Sequence, residues 1–440
     1  MIVNLSDGVT ESLINNLSKL PNVRVIARNS VFSYKDQPND VQKVARQLGV
    51  RAVLTGRVLM QGDTLDVRVE LTDAQHNTQL WGDHLTRKAG DIFAVPDEIA
   101  RQVSDALRVS LTSPQQQQVT KRYTENAEAY RLYLQGRYFF NEGSEEGLAR
   151  AITFFDQAIA KDPRYALAYS ARAYTYSQLA DLNMPMTEAN GKAKLDATTA
   201  LSMDDQIAEA RLVQALVEFG YDWNFAAAET DFKQALALDP NHAEAHHQYM
   251  YYLALLGRTA EAGREIKSAQ ELDPANPSIN VDMALPSILA RQYDPALSSL
   301  RKSVEMFPNF FLPHMALGST LIETRESNGI QELEKARTLE KSPLVMGHLG
   351  YYYAKTGRRD EARKLIEELQ VLSKSRYVAA YWLAVIYAGL NEKDQAFTWL
   401  EKAYQDRSWW LVWLKTDPKV DGLRSDPRFA DLMHRVGLPQ

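Results

Sequence analysis

Residues 243–274 read A-E-A-H-H-Q-Y-M-Y-Y-L-A-L-L-G-R-T-A-E-A-G-R-E-I-K-S-A-Q-E-L-D-P, and this stretch decides the architecture. Its first half carries Tyr249, Tyr252, Leu253 and Leu256 at helical spacing, and Gly257 is the residue type that most readily ends a helix. Its second half places the small Ala262 and Ala269 where a second helix must come close to the first, with Ile266 and Leu272 filling the space between. Pro274 blocks further helix while suiting the start of the next unit. Neither helix buries its apolar stripe alone, so the pair predicts a hairpin that must stack on others like itself.

Working outward, Pro240, Pro274 and Pro308 recur at intervals of 34 residues. The same grammar returns in residues 129–163, 166–203, 208–240, 277–308, 311–341, 343–375 and 377–405, which makes eight units. A helix–turn–helix period of 34 resembles the tetratricopeptide repeat and implies an α-solenoid over residues 126–405. The unit from Ala166 is the longest, because Met184-Pro185-Met186 extends its inter-helix loop. Pro286 falls inside a first helix, where it removes a backbone donor and predicts a kink. Residues 406–440 lose the pattern and are expected to form a cap, with Trp409, Trp410, Trp413 and Leu414 packed inward against the last apolar face.

Before the repeats the periodicity changes. Residues 6–20 predict an amphipathic helix with Val9, Leu13, Leu17 and Leu20 on one face. Residues 23–28 predict a short strand, 40–48 a helix closed by Gly49, and 52–60 a second strand. Gln61-Gly62-Asp63 predicts a hairpin turn into residues 64–73, where Leu65, Val67, Val69 and Leu71 alternate. A turn at 75–77, a strand at 79–86 and a long helix at 92–111 complete an α/β domain of about four strands and three helices over residues 1–113. Ser113-Pro114 followed by four Gln marks a linker or connecting helix, residues 114–125. The fold class is therefore mainly α, a small N-terminal α/β domain followed by a C-terminal solenoid.

The stretches L-S-D-G-V-T-E-S-L-I-N-N-L-S-K-L-P-N-V-R-V-I-A-R-N-S, V-A-R-Q-L-G-V-R-A-V-L-T-G-R-V and L-W-G-D-H-L resemble the TolB/FlgO-type N-terminal domain that precedes tetratricopeptide repeats in bacterial signalling proteins. The tail L-K-T-D-P-K-V-D-G-L-R-S-D-P-R-F resembles the ending of the same group. The resemblance implies attachment to a serine/threonine kinase, a nucleotide cyclase or a winged-helix regulator, often across a membrane span. No such effector signature is present in these residues. Members of that group begin with an apolar strand of the I-A-V-L-P-F kind, where this chain offers only Met1-Ile2-Val3. Either the chain is a fragment or its sheet lacks a strand, and the edge so exposed favours pairing with a second copy, a homodimer through this domain.

Composition narrows the function class. Of 50 basic and 56 acidic residues in 440, the first 113 residues hold 13 of each, so the whole net charge of −6 lies in the remainder. Neither part has the basic face that nucleic-acid binding requires, and no nucleic acid is expected as partner. The absence of cysteine excludes disulfides, thiol catalysis and thiolate metal sites. No apolar run approaches membrane-spanning length, so the chain reads as soluble, cytoplasmic by default and periplasmic if it is a fragment of a membrane-anchored protein.

His242, His246 and His247 invite a metal reading, but no third and fourth ligand follow at usable spacing. In the repeat register His246 takes a position usually filled by a large core residue and His242 lies in the connection before the helix, so no metal or other cofactor is expected. Asp239-Pro240 and Asp273-Pro274 are read as helix stops, and Trp81, Trp223 and Trp382 as core. Ser6, Asp7, His76, Asp83 and His84 are polar groups at turns and caps without a nucleophile elbow, so no enzyme activity is expected. The repeat register points Tyr133, Arg137, Tyr174, His247, Tyr251, Tyr351, Lys355 and Tyr381 toward the concave face. Tyrosines there suit a peptide groove. The leading expectation is a non-catalytic scaffold that binds a protein or peptide segment. The alternative is the sensory portion of a membrane-linked kinase, cyclase or transcription regulator.

Overall fold

The computed structural model describes residues 2–20, 22–35, 40–88, 94–107 and 121–438. From residue 127 the chain runs as eight antiparallel helical hairpins in sequence order. They are Ala127–Phe140 with Glu145–Lys161, Ala166–Leu179 with Met186–Met203, Ala208–Val217 with Phe225–Leu238, and Ala243–Leu255 with Thr259–Leu272. The fifth has a first arm split into Pro277–Asp282 and Leu285–Leu289, followed by Tyr293–Met306. Phe311–Glu323 with Gly329–Leu339, Pro343–Lys355 with Arg359–Leu372, and Ala380–Gly389 with Lys393–Gln405 complete the series. Small residues hold the arms together as the spacing requires: Ala262, Ala269, Ala296, Ala336, Ala362 and Ala396 are all fully buried. Pro286 stands at the break in the fifth hairpin, where the missing amide ends one helix and starts another.

Ahead of the solenoid lie α1 (Ile2–Leu17), α2 (Arg28–Phe32), α3 (Val41–Leu48), β1 (Ala52–Gln61), β2 (Thr64–Asp73), β3 (Thr78–Lys88) and α4 (Ala94–Ala106). The strands form an antiparallel meander in the order β1-β2-β3. Leu65, Val67, Val69 and Leu71 turn to one face and meet Val9 and Leu13 of α1 and Val95, Ile99 and Val103 of α4. Asp40 caps α3 by accepting from the Lys43 amide, and Gly49 closes it in the left-handed region at φ 64°. The expected linker at Ser113-Pro114 and the expected end of the long helix lie outside the described residues.

Two expectations are corrected. Residues 23–28 are not a strand: the described sheet has three strands, and residues 23–27 are extended without pairing to any of them. Their backbone groups are met instead by the solenoid. Asn241 donates from Nδ2 to the Val23 carbonyl (2.9 Å) and accepts from the Val25 amide (3.2 Å), while the Ala27 amide donates to Leu272 O (2.7 Å). A backbone so satisfied has no need of a ladder partner.

The tail also does more than cover the last hairpin. Two 3₁₀ turns, Trp409–Trp413 and Pro418–Leu423, and the helix Pro427–Val436 carry it back along the solenoid. Ser408 donates to Asp181 in the loop of the second hairpin (2.5 Å), and Trp409 packs edge-on against Phe219 in the third. Leu411, Val412, Leu414 and Val420 are fully buried in that path.

Candidate functional site

The first helices of the hairpins carry all eight residues expected on a concave face, and their contacts along that wall sort them into three groups. In the first half α1 lies across that wall. Gly8 allows the close approach, since a Cβ there would come within 2.6 Å of the Leu134 side chain. Ser12 and Tyr130 share a hydrogen bond of 2.8 Å, and Glu11 accepts from Arg137 Nε (2.6 Å) and Asn141 (3.2 Å). Further along, Asp239 Oδ2 accepts from Ser18 Oγ (3.1 Å), and Asp273 accepts from the Ser30 hydroxyl (2.6 Å), the Ser30 amide and Asn29. The two Asp-Pro helix stops therefore have a second task, holding the N-terminal unit.

Between this arch and the wall remains a cleft of about 350 Å³. Tyr133, Arg137 and Tyr174 all line it, together with Tyr165, Glu209 and Glu244. Arg137 is held between Glu11 and Glu209, its Nη1 2.7 Å from Glu209 Oε2. Burial disfavours its charge, but the two carboxylates outweigh that and keep the guanidinium firmly protonated. Tyr133 packs against Phe155 and Tyr165, at ring separations of 5.9 and 5.2 Å, and burial drives its hydroxyl above the ordinary range. Tyr174 packs on Phe140, and its hydroxyl is raised by burial and by the charge of Glu244.

In the second half the wall is filled by the tail. Tyr381 donates to Asp417 Oδ2 (2.6 Å), and Trp410 lies against Trp382 with ring centres 4.5 Å apart. Tyr351 donates weakly to the Pro418 carbonyl (3.4 Å). Tyr251 donates to Asp282 and meets the edge of Trp413 at 5.8 Å. His247 is buried with Nε2 2.9 Å from Asp282 and Nδ1 3.6 Å from Glu244. Burial alone would lower its pKa, but the hydrogen bonds and charges of those carboxylates push it up to about 10. These four residues are committed to contacts within the chain. Lys355 stands apart from them, 2.7 Å from both oxygens of Glu323, in a second hollow lined by Arg325, Ile330 and Arg358.

The three adjacent histidines have protein partners. His242 caps its helix by accepting from the Ala245 amide (3.3 Å), and His246 bridges Glu265 (2.6 Å) and the Pro240 carbonyl (3.1 Å). His314 repeats the second bracket two units later with Glu332 and Pro308. Among the described residues no group of three or more histidine or carboxylate side chains is placed to hold a metal ion, and no helix is long and apolar enough to cross a membrane. Sequence reasoning missed the carboxylates of the cleft. The signal was available in the recurrence of Ala-Glu-Ala at residues 208–210 and 243–245, which sets Glu209 and Glu244 in equivalent positions on successive first helices.

No protein-family model matches the sequence. The chain is 35% identical over 166 residues to a protein named putative adenylate cyclase 3 of Rhizobium meliloti (strain 1021). That match takes in 38% of this chain and spans only 28% of the relative's length. Among solved structures it is similar to yeast Tom70, with a TM-score of 0.45 and 14% identity over 79% of this chain and 82% of that one. It is also similar to PilF of Pseudomonas aeruginosa, with a TM-score of 0.36 and 21% identity over 48% of this chain and 92% of that one. A thermophilic TPR protein of Thermus thermophilus gives a TM-score of 0.38 and 20% identity over 44% of this chain and 99% of that one.

Proposed function

We propose that this chain is a non-catalytic interaction scaffold, and that the part of the inner wall left open under α1 receives a protein segment. The observation that carries the reading is the division of the wall. The tail fills the half that holds Tyr251, Tyr351 and Tyr381, while a cleft of about 350 Å³ stays open beside Tyr133, Arg137 and Tyr174. Aromatic walls with a few convergent polar groups are what binding clefts commonly offer. The test is affinity capture from a lysate with the full chain and with the double variant Tyr174→Phe/Glu209→Gln. A captured protein that the variant releases supports the cleft, and equal capture by both removes it from the reading. A homodimer fits the same picture, because among the described residues β1 pairs only with β2 and offers its other edge. Sedimentation that returns only monomer at high concentration would count against it.

A second reading is favoured by the cyclase-named relative: the chain is the regulatory portion of a larger nucleotide cyclase, its N-terminal unit of the TolB/FlgO kind. An antibody raised against the chain settles this in the native cell. A band well above the mass of 440 residues supports the reading, and a band at that mass removes it.

A further inference from the structure

We infer that the N-terminal unit is a lid on the inner wall, lifting as one body to admit a ligand to the cleft under α1. This rests on the reading of that cleft as a receptor and supplies its regulation.

The seam between the lid and the solenoid is largely polar. The lid has its own apolar core, built from α1, β2, β3 and α4, and the first hairpin has another around Phe155. Among the described residues Tyr130 is the one side chain packed against both cores. Much of the remaining hold is hydrogen bonds and ion pairs, at Glu11, Ser12, Ser18, Ser30 and Asn241. A polar interface inside one chain leaves its two sides free to move relative to each other.

The charges are arranged so that this seam parts without stranding any of them. Arg28, Glu11, Arg137 and Glu209 form a chain of alternating sign, with successive contacts of 3.4, 2.6 and 2.7 Å. The seam crosses only the middle link. When that link breaks, Glu11 keeps Arg28 within the lid and Arg137 keeps Glu209 within the solenoid, so neither becomes a lone buried charge. The other latches repeat the design. Asp239 loses Ser18 and keeps the Asn241 amide (3.0 Å), and Asp273 loses Ser30 and Asn29 and keeps Asn276 Nδ2 (3.0 Å). Asn141 loses Glu11 and keeps the Arg137 carbonyl (2.7 Å). Each of these anchors on the wall thus has a partner in the closed and in the open state, which keeps the two states close in free energy. Opening uncovers Tyr130 and clears the approach to Tyr133, Arg137 and Tyr174, which line the cleft opposite Ser12, Asn15 and Arg28 of the lid.

The experiment combines hydrogen exchange and hydroxyl-radical footprinting on the full chain and on Glu11→Gln. Glu11 grips the first hairpin, whereas the Val25 and Ala27 amides donate to Asn241 and Leu272, just before and at the end of the fourth. In a lid that moves as one body, loosening the first latch frees the others. Glu11→Gln should therefore speed exchange at Val25 and Ala27 about tenfold and leave the ladder amides of β1 and β2 unchanged. Tyr130 and Tyr133 should take up at least about twofold more label in the variant, while Tyr352 of the seventh hairpin should not change. Ser30→Ala, which loosens the far latch at Asp273, should raise labelling of the same two tyrosines. Exchange at Val25 and Ala27 that ignores Glu11→Gln overturns the inference, because the unit is then fixed. A rise shared by the β1–β2 ladder and Tyr352 overturns it as well, because the unit then comes away only with global unfolding. Capture of a protein partner that depends on Tyr174 and Glu209 would leave the scaffold reading standing in either case, and a lid that opens over a cleft capturing nothing would remove the receptor reading alone.

Discussion

His247 shows how much of this solenoid's stability rests on charge held inside it. Its imidazole lies between Asp282 and Glu244, with the Tyr251 ring 5.0 Å away and the Tyr251 hydroxyl donating to the same Asp282. Its pKa stands at about 10 in the folded chain, against about 6.5 for a free histidine. The folded state therefore binds the proton more tightly. The resulting stability is complete below about pH 6.5 and is lost as pH rises through about 10. His247→Phe leaves two partly buried carboxylates without their buried cation and should cost about 3–5 kcal/mol at pH 6 in urea unfolding. The gap between wild type and variant should close as pH climbs toward 10, and a constant gap would refute the assignment. Glu218 has the opposite sign. Burial and the neighbouring charge of Asp231 push its pKa up to about 7, so its ionisation opposes folding as pH rises from about 4.5 to 7. Glu218→Gln should gain up to about 1 kcal/mol at pH 8, after allowance for solvent screening, and nothing at pH 4. The repeat register was enough to set Tyr133, Tyr174, Tyr251, Tyr351 and Tyr381 on first helices, but it gave no sign of their partners. Glu11 reaches Arg137 from 126 residues away and Asp417 reaches Tyr381 from 36, and local periodicity carries no such information.

At the scale of elements, the eight hairpins were legible because each is specified within its own 34 residues or so by small residues, apolar spacing and a helix stop. Pro286 was legible for the same reason, since the missing amide acts locally. Residues 23–28 misled because an extended apolar run has the same pattern whether its backbone joins a sheet or is gripped by Asn241 and Leu272. The tail was legible as a closing element but not in its reach. Its route depends on Gly220, which lies in the π turn Glu218–Asp222 that extends the first arm of the third hairpin. A Cβ at that position would come within 1.9 Å of the Trp409 ring. Gly220→Ala should therefore cost about 1–3 kcal/mol through overpacking. In a Trp409→Ala background most of that cost should vanish, because the ring it collides with is gone. A double-mutant cycle by denaturant unfolding reads the coupling, and a penalty equal in both backgrounds would show that the close approach is not its cause.

The whole molecule departs from the usual behaviour of a solenoid, in which each unit touches only its neighbours and the ends fray independently. Here two braces tie distant units together. The N-terminal unit joins the first hairpin, through Glu11, to the connections at Asp239 and Asp273. The tail joins the second hairpin to the eighth, since Asp181 accepts from Ser408 and from Tyr377, residues 227 and 196 positions away. Asp181 is buried, and burial raises its pKa although both hydroxyls hold it down, so these hydrogen bonds are what offset its desolvation. Asp181→Ala removes the carboxylate to which both hydroxyls donate. Wild-type amides in the second, seventh and eighth hairpins should exchange with deuterium as one cooperative block. In the variant, amides of the seventh and eighth hairpins should exchange at least about tenfold faster while those of the first keep their protection, because the brace to the N-terminal unit is untouched. A uniform loss of protection along all eight hairpins would mean that Asp181 acts through global stability alone, and unchanged exchange would mean that the tail does not couple the ends.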